Sequence, residues 1–532
     1  MSGLAEILEE NLSLRQEMAR LRATLAAKDD QLAAKDDQLT VTREQLDAVT
    51  RKAEYLAQKL ELANAKHTGA ASQRYVPPEQ VALPFSVDLV PPPRAPKIEE
   101  AAPQPGRRRR RGEGRPRRRT RDDVANLPAR TVRCKAAETP CASCGKPLKV
   151  IGLASSFRIE WVPGHFEVHD VVRDKCACPD CPGEGVLTTP APYILDRSLA
   201  ANGLLARVLV DKFVDHIPAN RQAKRMKREG FDVGSHTLSA WIGAVGDLLT
   251  RVAAAVRTDL LAGSFLQGDD TGMPVQDAGN GRLRKGRMWA FTDQEQVFYA
   301  FTDSKEGRFP VELLEGYAGE LLLVDGGSEF NQVVREQGLT RGGCWSHLRK
   351  RFFEALKHHP AEAHLGLGTI RDLFLIEREI WGGDPAAIVA ARQARSRPLV
   401  DGMFEWLKAL SQVARPDSLL GEAVRYGRNQ EKELRAFLEH GELPIHNNLS
   451  ELMLRQPVVG RKNWLFARSE GGAKAAAAVY TLVGSCMLQG VDPWAYLRDV
   501  LDRLLDHPAN RIGELTPKRW VAERSRHMVI DG

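Results

Sequence analysis

Asp269 in LQGDDTGMPV, Asp325 in LLLVDGGSEFN and Glu451 in HNNLSELMLRQPVVGRKNWLF are three acids in three different settings. Each Asp closes a short apolar run that reads as a β-strand, and Glu451 opens a helix with basic neighbours. Carboxylate oxygens are hard ligands and suit Mg2+ or Mn2+ better than Cys or His would. Two such ions about 4 Å apart serve phosphoryl transfer, one at the attacking oxygen and one at the leaving oxygen. A strand end fixes the direction of a carboxylate, and the loop beyond it leaves room for a substrate. Each residue also has a plainer reading. Asp before Gly or Thr is a common turn residue, and Asn448 with Glu451 makes the spacing of a capping box. What favours chemistry at Glu451 is the downstream run containing Arg461, Lys462 and Arg468, cations suited to phosphates. Trp464 in the same run stacks on a base or belongs to the core.

A second constellation is made of thiols. Cys141-x-x-Cys144 and Cys178-x-x-Cys181 are two pairs separated by 33 residues. Together they supply the four soft ligands of a tetrahedral structural Zn2+, with turn formers in CASCGKP and CPDCPGEG to bend the chain around it. Cys134 and Cys176 are spare, and Cys176-x-Cys178 is a competing register. His165 and His169 lie between the pairs and read as strand residues of surface or core. Six of the eight cysteines fall between 134 and 181 without an export signal, which favours metal over disulfides in a reducing cytoplasm.

These residues need elements to position them, and 532 residues are too many for one core. Residues 4–62 carry a heptad repeat. Leu4, Met18, Leu25, Leu32, Leu39, Leu46 and Leu60 share one position, while Leu14, Leu21, Val49 and Leu56 share its partner with Lys28, Lys35 and Thr42. Lysines in the seam favour a two-stranded coil over higher oligomers. The Pro-rich stretch that follows reads as a disordered linker. It ends in RRRRRGEGRPRRRTR, whose ten Arg and one Glu outweigh the net charge of +7 and leave the rest of the chain near −2. Arg107, Arg108, Arg109, Arg110, Arg111, Arg117, Arg118 and Arg119 thus form a concentrated patch for a polyanion. Residues 190–256 read as helical, and the break at EGFDVGS, with Ser235 as N-cap, suits a helix-turn-helix. After 262 the period changes to two. SFLQG, MWAFTD, VFYAFTD and GELLLV read as strands, with a hairpin around QEQ and a helix in RFPVELLEGY. Strand, hairpin, helix, strand opens a ribonuclease H-like sheet. Residues 345–440 read as mostly helical, and WAYLRDVLDRLLDH as an amphipathic helix. No apolar run approaches the roughly 20 residues that span a bilayer.

CASCGKPL, CACPDC, GDDT, VDGGSEFN, GCWSHLRKRFFEAL, NNLSE, GRKNWLF and GVDPWAYLRDVLDRL together resemble the insertion-sequence 66 family of transposases, in its TnpC-type large subunit. The resemblance covers almost the whole chain, and GRKNWLF with DPWAYLRDVL is its most specific part. It implies a DDE-class enzyme with Asp269, Asp325 and Glu451 as the triad, Asp269 rather than Asp270 being the first ligand. Asp269 and Asp325 would hold two Mg2+ (or Mn2+) ions per active site, with Glu451 on the second. Cys344-x-x-His347 resembles a C-x-x-H signature of DDE enzymes that carry a helical insertion before the final Glu; the plainer reading is a helix start with a buried Cys. The sequence departs from the family at three places: His446 stands where Asp is usual, Leu452 where Arg is usual, and Gly272-Met273 where Pro usually follows the Thr.

The expected fold is multidomain α+β. It comprises a coiled coil (1–66), a Pro/Arg-rich linker (67–133), a zinc-binding domain (134–186) and a helical, DNA-binding region (187–256). A ribonuclease H-like catalytic domain (257–476, insertion at about 345–440) and a C-terminal helical segment (477–532) complete it. The expected function is cleavage at the ends of an insertion element and strand transfer into target DNA. Partners would be terminal-repeat and target DNA, a second copy of the chain through the coiled coil, and accessory proteins of the same element, with no membrane. The place of action would be the bacterial cytoplasm at the nucleoid. Two other classes compete: a catalytically impaired, transposase-derived DNA-binding regulator, and a ribonuclease H-like nuclease without strand transfer.

Overall fold

The computed structural model describes residues 2–67, 120–125, 127–134, 140–141, 143–162, 164–180, 185–276 and 282–530. Arg107–Arg111, Arg117–Arg119 and Cys181 lie outside the described residues. The chain divides into two compact units: one built on the N-terminal helix with residues 349–369 and 403–429, the other on the remainder.

The first unit is led by α1 (Ser2–His67), 66 residues without a break and therefore about 100 Å long. Leu14, Leu21, Leu25, Leu32, Leu39, Leu46, Val49, Leu56 and Leu60 of its heptad stripe are all exposed. Its C-terminal end is held by polar contacts. Tyr55 and Lys59 both engage Glu422, and Glu61 pairs with Lys357.

In the second unit, β1 (Ala129–Cys134), β2 (Lys149–Val162), β3 (His165–Ala177) and β4 (Leu187–Thr188) form a sheet in the order β1-β3-β2, with β4 on β3. Helices α2 (Asn202–Phe213), α3 (Ala219–Arg228) and α4 (Ser235–Leu261) follow. The helical reading of 190–201 is not met: this stretch is irregular, and Asn202 spends its side chain on Ile194 N, Leu501 O and Asp502. Gly234, not Ser235, caps α4, and no side chain takes part.

The central sheet is built from β5 (Phe265–Gln276), β6 (Leu283–Thr292), β7 (Val297–Thr302), β8 (Leu321–Leu323) and β9 (Thr340–Gly342). Its order is β7-β6-β5-β8-β9. β5, β6 and β7 run antiparallel, while β5, β8 and β9 run parallel. The expected hairpin, helix and strand are present, with α5 (Arg308–Leu313) before β8 and α6 (Asn331–Gln337) before β9. The structure corrects the end of the first strand. β5 does not stop before Asp269; it loses β8 after Gln267 but stays paired with β6 through Gln276.

The segment 345–440 is helical as expected, from α7 (Trp345–Ala355), α8 (Pro360–Ile380) and α9 (Pro385–Ala391) to α10 (Arg397–Val413), α11 (Leu419–Asn429) and α12 (Glu431–Arg435). Then come α13 (Asn448–Trp464), α14 (Glu470–Leu488), α15 (Pro493–Arg503) and α16 (Pro517–Ile530). α4 and α14 pack on each other and on β7. Their role is legible at the sheet edge: the hydroxyls of Thr481 and Ser485 accept the free N–H groups of Tyr299 (2.9 Å) and Val297 (3.1 Å). An edge strand that would otherwise offer open donors is thereby closed. α4 is long and apolar enough to cross a membrane, but Leu238, Val245, Leu249, Val252 and Val256 are buried in the core shared with the sheet. Both helices run through the expected domain limits at 256 and 476.

Candidate active site

The zinc segment places its thiols at the base of the β2–β3 hairpin. Cys141, Cys144 and Cys178 bring their sulfurs within 4.8 Å of one another, with Cys144 Sγ and Cys178 Sγ at 3.4 Å. Main-chain N–H groups of Cys144 and Ser143 point at the Cys141 thiol and hold it down to about 7. Such a set of partly ionised soft ligands fits Zn2+. Cys176 is buried on β3 opposite Val150 and lies outside this group among the described residues. His165 and His169 are strand residues as expected, the latter 3.0 Å from the Tyr193 hydroxyl.

The acids converge through strand register. Gln267 pairs with Leu323 on β8, and Leu323 pairs with Gly342 on β9. Two residues beyond these three partners stand Asp269, Asp325 and Cys344. Side chains alternate along a strand, and neighbouring strands lie about 4.8 Å apart. Asp269 thus stands in β5 just past the end of its β8 pairing, and Asp325 and Cys344 stand just past β8 and β9, which brings the charges of Asp325 and Glu451 to bear on Asp269. Asp270, one step out of phase, has its side chain buried and paired with Arg287 and Lys305, the latter also holding Glu329 at 2.8 Å. Asp269 has no such partner among the described residues. One oxygen accepts the Asp270 N–H at 2.7 Å, and burial together with the charges of Asp325 and Glu451 pushes its carboxyl up to about 7. Asp325 accepts the N–H of Gly327 at 2.9 Å, and Arg341 donates to the carbonyls of Asp325 and Gly327 and to Asn331. A carboxylate without a counter-charge, Asp269, beside a neutralised one, Asp270, suits a hard divalent cation.

Glu451 does not close a capping box. The N-cap of α13 is Asn447, which makes no capping bond with its side chain. The amide of Asn447 is fully buried and instead donates to Gly268 O at 2.9 Å, tying the start of α13 to the strand residue before Asp269. Gly268 has no room for a side chain, since a Cβ there would lie 2.9 Å from the Phe291 ring. Glu451 is left 42% exposed, with its Oε1 3.7 Å from His347 Nδ1. Cys344, His347 and Glu451 form a second group with ligand atoms within 4.8 Å of one another. Burial pushes the Cys344 thiol up to about 12. Asn447 was missed by sequence reasoning; the only signal was the polar doublet in HNN, which does not say which carbonyl it serves.

The downstream cations sit on and beyond α13. Arg461 lies beside β5, its Nη1 3.6 Å from where a Gly272 Cβ would be. Lys462 and Arg468 are exposed, and Ala467 bridges to Val275 at the far end of β5. Trp464 packs against the core, with Lys212 5.6 Å from its ring centre, so it is not free to stack on a base. The two departures near Glu451 have packing partners. His446 stacks on Phe374 at 5.5 Å and 10°, and Leu452 packs against the core.

Residues 197–475 match the family model described as Transposase IS66 family. Residues 481–518 match the IS66 C-terminal element, and 138–182 match the zinc-finger binding domain of transposase IS66. Among curated proteins, two relatives come from Sinorhizobium fredii (strain NBRC 101917 / NGR234), both named as uncharacterized. Protein y4hP is 33% identical over 412 residues, covering 72% of this chain and 73% of its own length. Protein y4qI is 31% identical over 400 residues, covering 71% and 74%.

Proposed function

The chain belongs to the IS66 transposase family, and we propose that it is a DDE-class enzyme that cuts DNA at element ends and joins them to target DNA. The observation that carries this reading is the shared register by which Asp269 and Asp325 emerge side by side, with Glu451 close enough to raise the Asp269 carboxyl. The strand order and directions of the central sheet support a ribonuclease H-like core.

Asp269, Asp325 and Glu451 would hold two Mg2+ ions, which when bound supply charge at the attacking and leaving oxygens of the phosphodiester. Asp269 would give up its proton on joining such a ligand set, and the sheet holds its carboxylate beside the charges of Asp325 and Glu451. Arg461, Lys462 and Arg468 contact phosphates next to the cut, and the exposed Arg221, Lys224 and Arg228 of α3 extend the basic surface. Arg107–Arg111 and Arg117–Arg119 add affinity that does not depend on sequence. The exposed heptad stripe of α1 pairs two protomers, as bringing two element ends together requires.

The test is Mg2+- or Mn2+-dependent cleavage of terminal-repeat DNA by the wild type and Glu451→Gln. Cleavage should vanish in the variant while DNA binding stays. Cleavage that survives the substitution removes Glu451 from the triad; wild-type binding without cleavage on any end sequence favours the regulator.

A further inference from the structure

Cys344 and His347 lie outside the ligand set expected for Mg2+, yet their donor atoms converge with that of Glu451, which belongs to it. Sγ, a ring nitrogen and a carboxylate oxygen lie within 4.8 Å of one another, the same closeness shown by Cys141, Cys144 and Cys178. The two groups share a local geometry. At Cys141 the N–H groups two and three residues ahead, Ser143 and Cys144, point at the sulfur. At Cys344 the N–H groups of Ser346 and His347 do the same, and Asn447 N adds a third at 3.3 Å. A Cys-x-x knuckle with converging N–H donors is thus built twice in this chain.

The ring supports the same conclusion. His347 Nδ1 is buried and has no hydrogen-bond partner. Glu451 Oε1 stands 3.7 Å from it, too far for a hydrogen bond. Two ligands on one tetrahedral ion with bonds near 2.0–2.3 Å are separated by about 3.3–3.7 Å. The gap is the width of an ion between its ligands.

We propose that Cys344 Sγ, His347 and Glu451 form a second transition-metal site, selective for Zn2+-class ions and distinct from the finger. A thiolate, an imidazole and a single carboxylate choose a borderline-soft ion over Mg2+. The proposal deepens the reading above through Glu451 alone: an ion held here ties that carboxylate to the end of β9, and thiophilic ions compete with Mg2+ for it.

The full-length chain, freed of metal and titrated with Co2+ in excess Mg2+, tests this through the thiolate-to-cobalt absorption band, which carboxylate-bound Co2+ does not give. Wild type should show two thiolate-bound Co2+ per chain. Cys344→Ser and His347→Ala should each lose or weaken one and keep the finger ion, whose retention shows that the fold is intact. Cys178→Ser should lose the other and keep the Cys344 ion. Asp269→Asn should keep both while abolishing cleavage, which separates this site from the proposed catalysis. Wild-type cobalt stoichiometry and spectrum in both Cys344→Ser and His347→Ala would overturn the proposal.

Discussion

Asp269→Asn turns the electrostatics of the carboxylate group into a stability measurement. The Asp269 carboxyl titrates at about 7 in the fold against 3.8 as its ordinary value. Between these values the folded chain keeps the proton that the unfolded chain releases, so stability falls as pH rises. The penalty is absent below the lower value and complete above the higher one. At 1.36 kcal/mol per unit the full penalty is about 4 kcal/mol, of which about 2–3 kcal/mol develops between pH 5 and pH 8. An asparagine carries no charge and does not incur it. In EDTA the wild type should therefore lose on the order of 3–4 °C of melting temperature relative to Asp269→Asn over that interval.

Differential scanning calorimetry of both proteins at pH 5, 6, 7 and 8 reads the difference directly, since every other titrating group is common to the pair. Mg2+ at pH 8 should return much of the loss to the wild type and little to the variant, because a cation neutralises the same repulsion. A wild-type-to-variant difference that stays constant from pH 5 to pH 8 would refute the assignment of an uncompensated buried charge to Asp269. An equal Mg2+ response in both proteins would refute its role as a metal ligand.

Asn447→Ala leaves the Gly268 carbonyl without its buried donor, which should cost about 1–3 kcal/mol in denaturant unfolding. End cleavage should fall with it while DNA affinity holds; a variant that cuts normally would show that the tie does not position Glu451. Replacing Arg461, Lys462 and Arg468 by alanine should weaken DNA binding and lower the slope of log K against log salt by about 0.9 for each phosphate no longer neutralised. Fluorescence anisotropy measures this, and an unchanged slope would move the DNA elsewhere. Leu25, Leu32 and Leu39 changed together to Glu should convert a dimer to a monomer in sedimentation, and a monomeric wild type would remove the proposed pairing.

The elements whose burial is one-sided or complete were legible as sequence. β6 and β7 carry near-continuous apolar runs, MWAF and VFYAF, on either side of a polar turn. The polar half of β5 was not legible. DDTGMPVQ offers only Met273 and Val275 to a period of two and carries Gly272 and Pro274 between polar residues, so the strand ends in sequence where the β8 pairing ends in structure. β9 is three residues, TRG, held by its parallel partner rather than by any propensity of its own. The capping-box spacing of Asn448 and Glu451 was present but unused, since a motif states which bonds are reachable and tertiary contacts decide which form. The integration of α4 and α14 with the sheet was invisible for a related reason: the Thr481 and Ser485 bonds to β7 join residues more than 180 positions apart.

The choice between Asp269 and Asp270 shows what the sheet adds. The two acids are adjacent and chemically equal, and a one-residue slip between β5 and β8 would exchange them. Three features oppose that slip. Gly268 admits the Phe291 ring where any side chain would collide, and its carbonyl is claimed by Asn447. Arg287 and Lys305 wait on the other side for a carboxylate and find Asp270. After a slip, Asp269 would meet two cations and be neutralised, while Asp270 would face Asp325 with no counter-charge. Register, glycine and cations thus act on the same residue pair, leaving one carboxylate free for a metal and giving the other a structural partner.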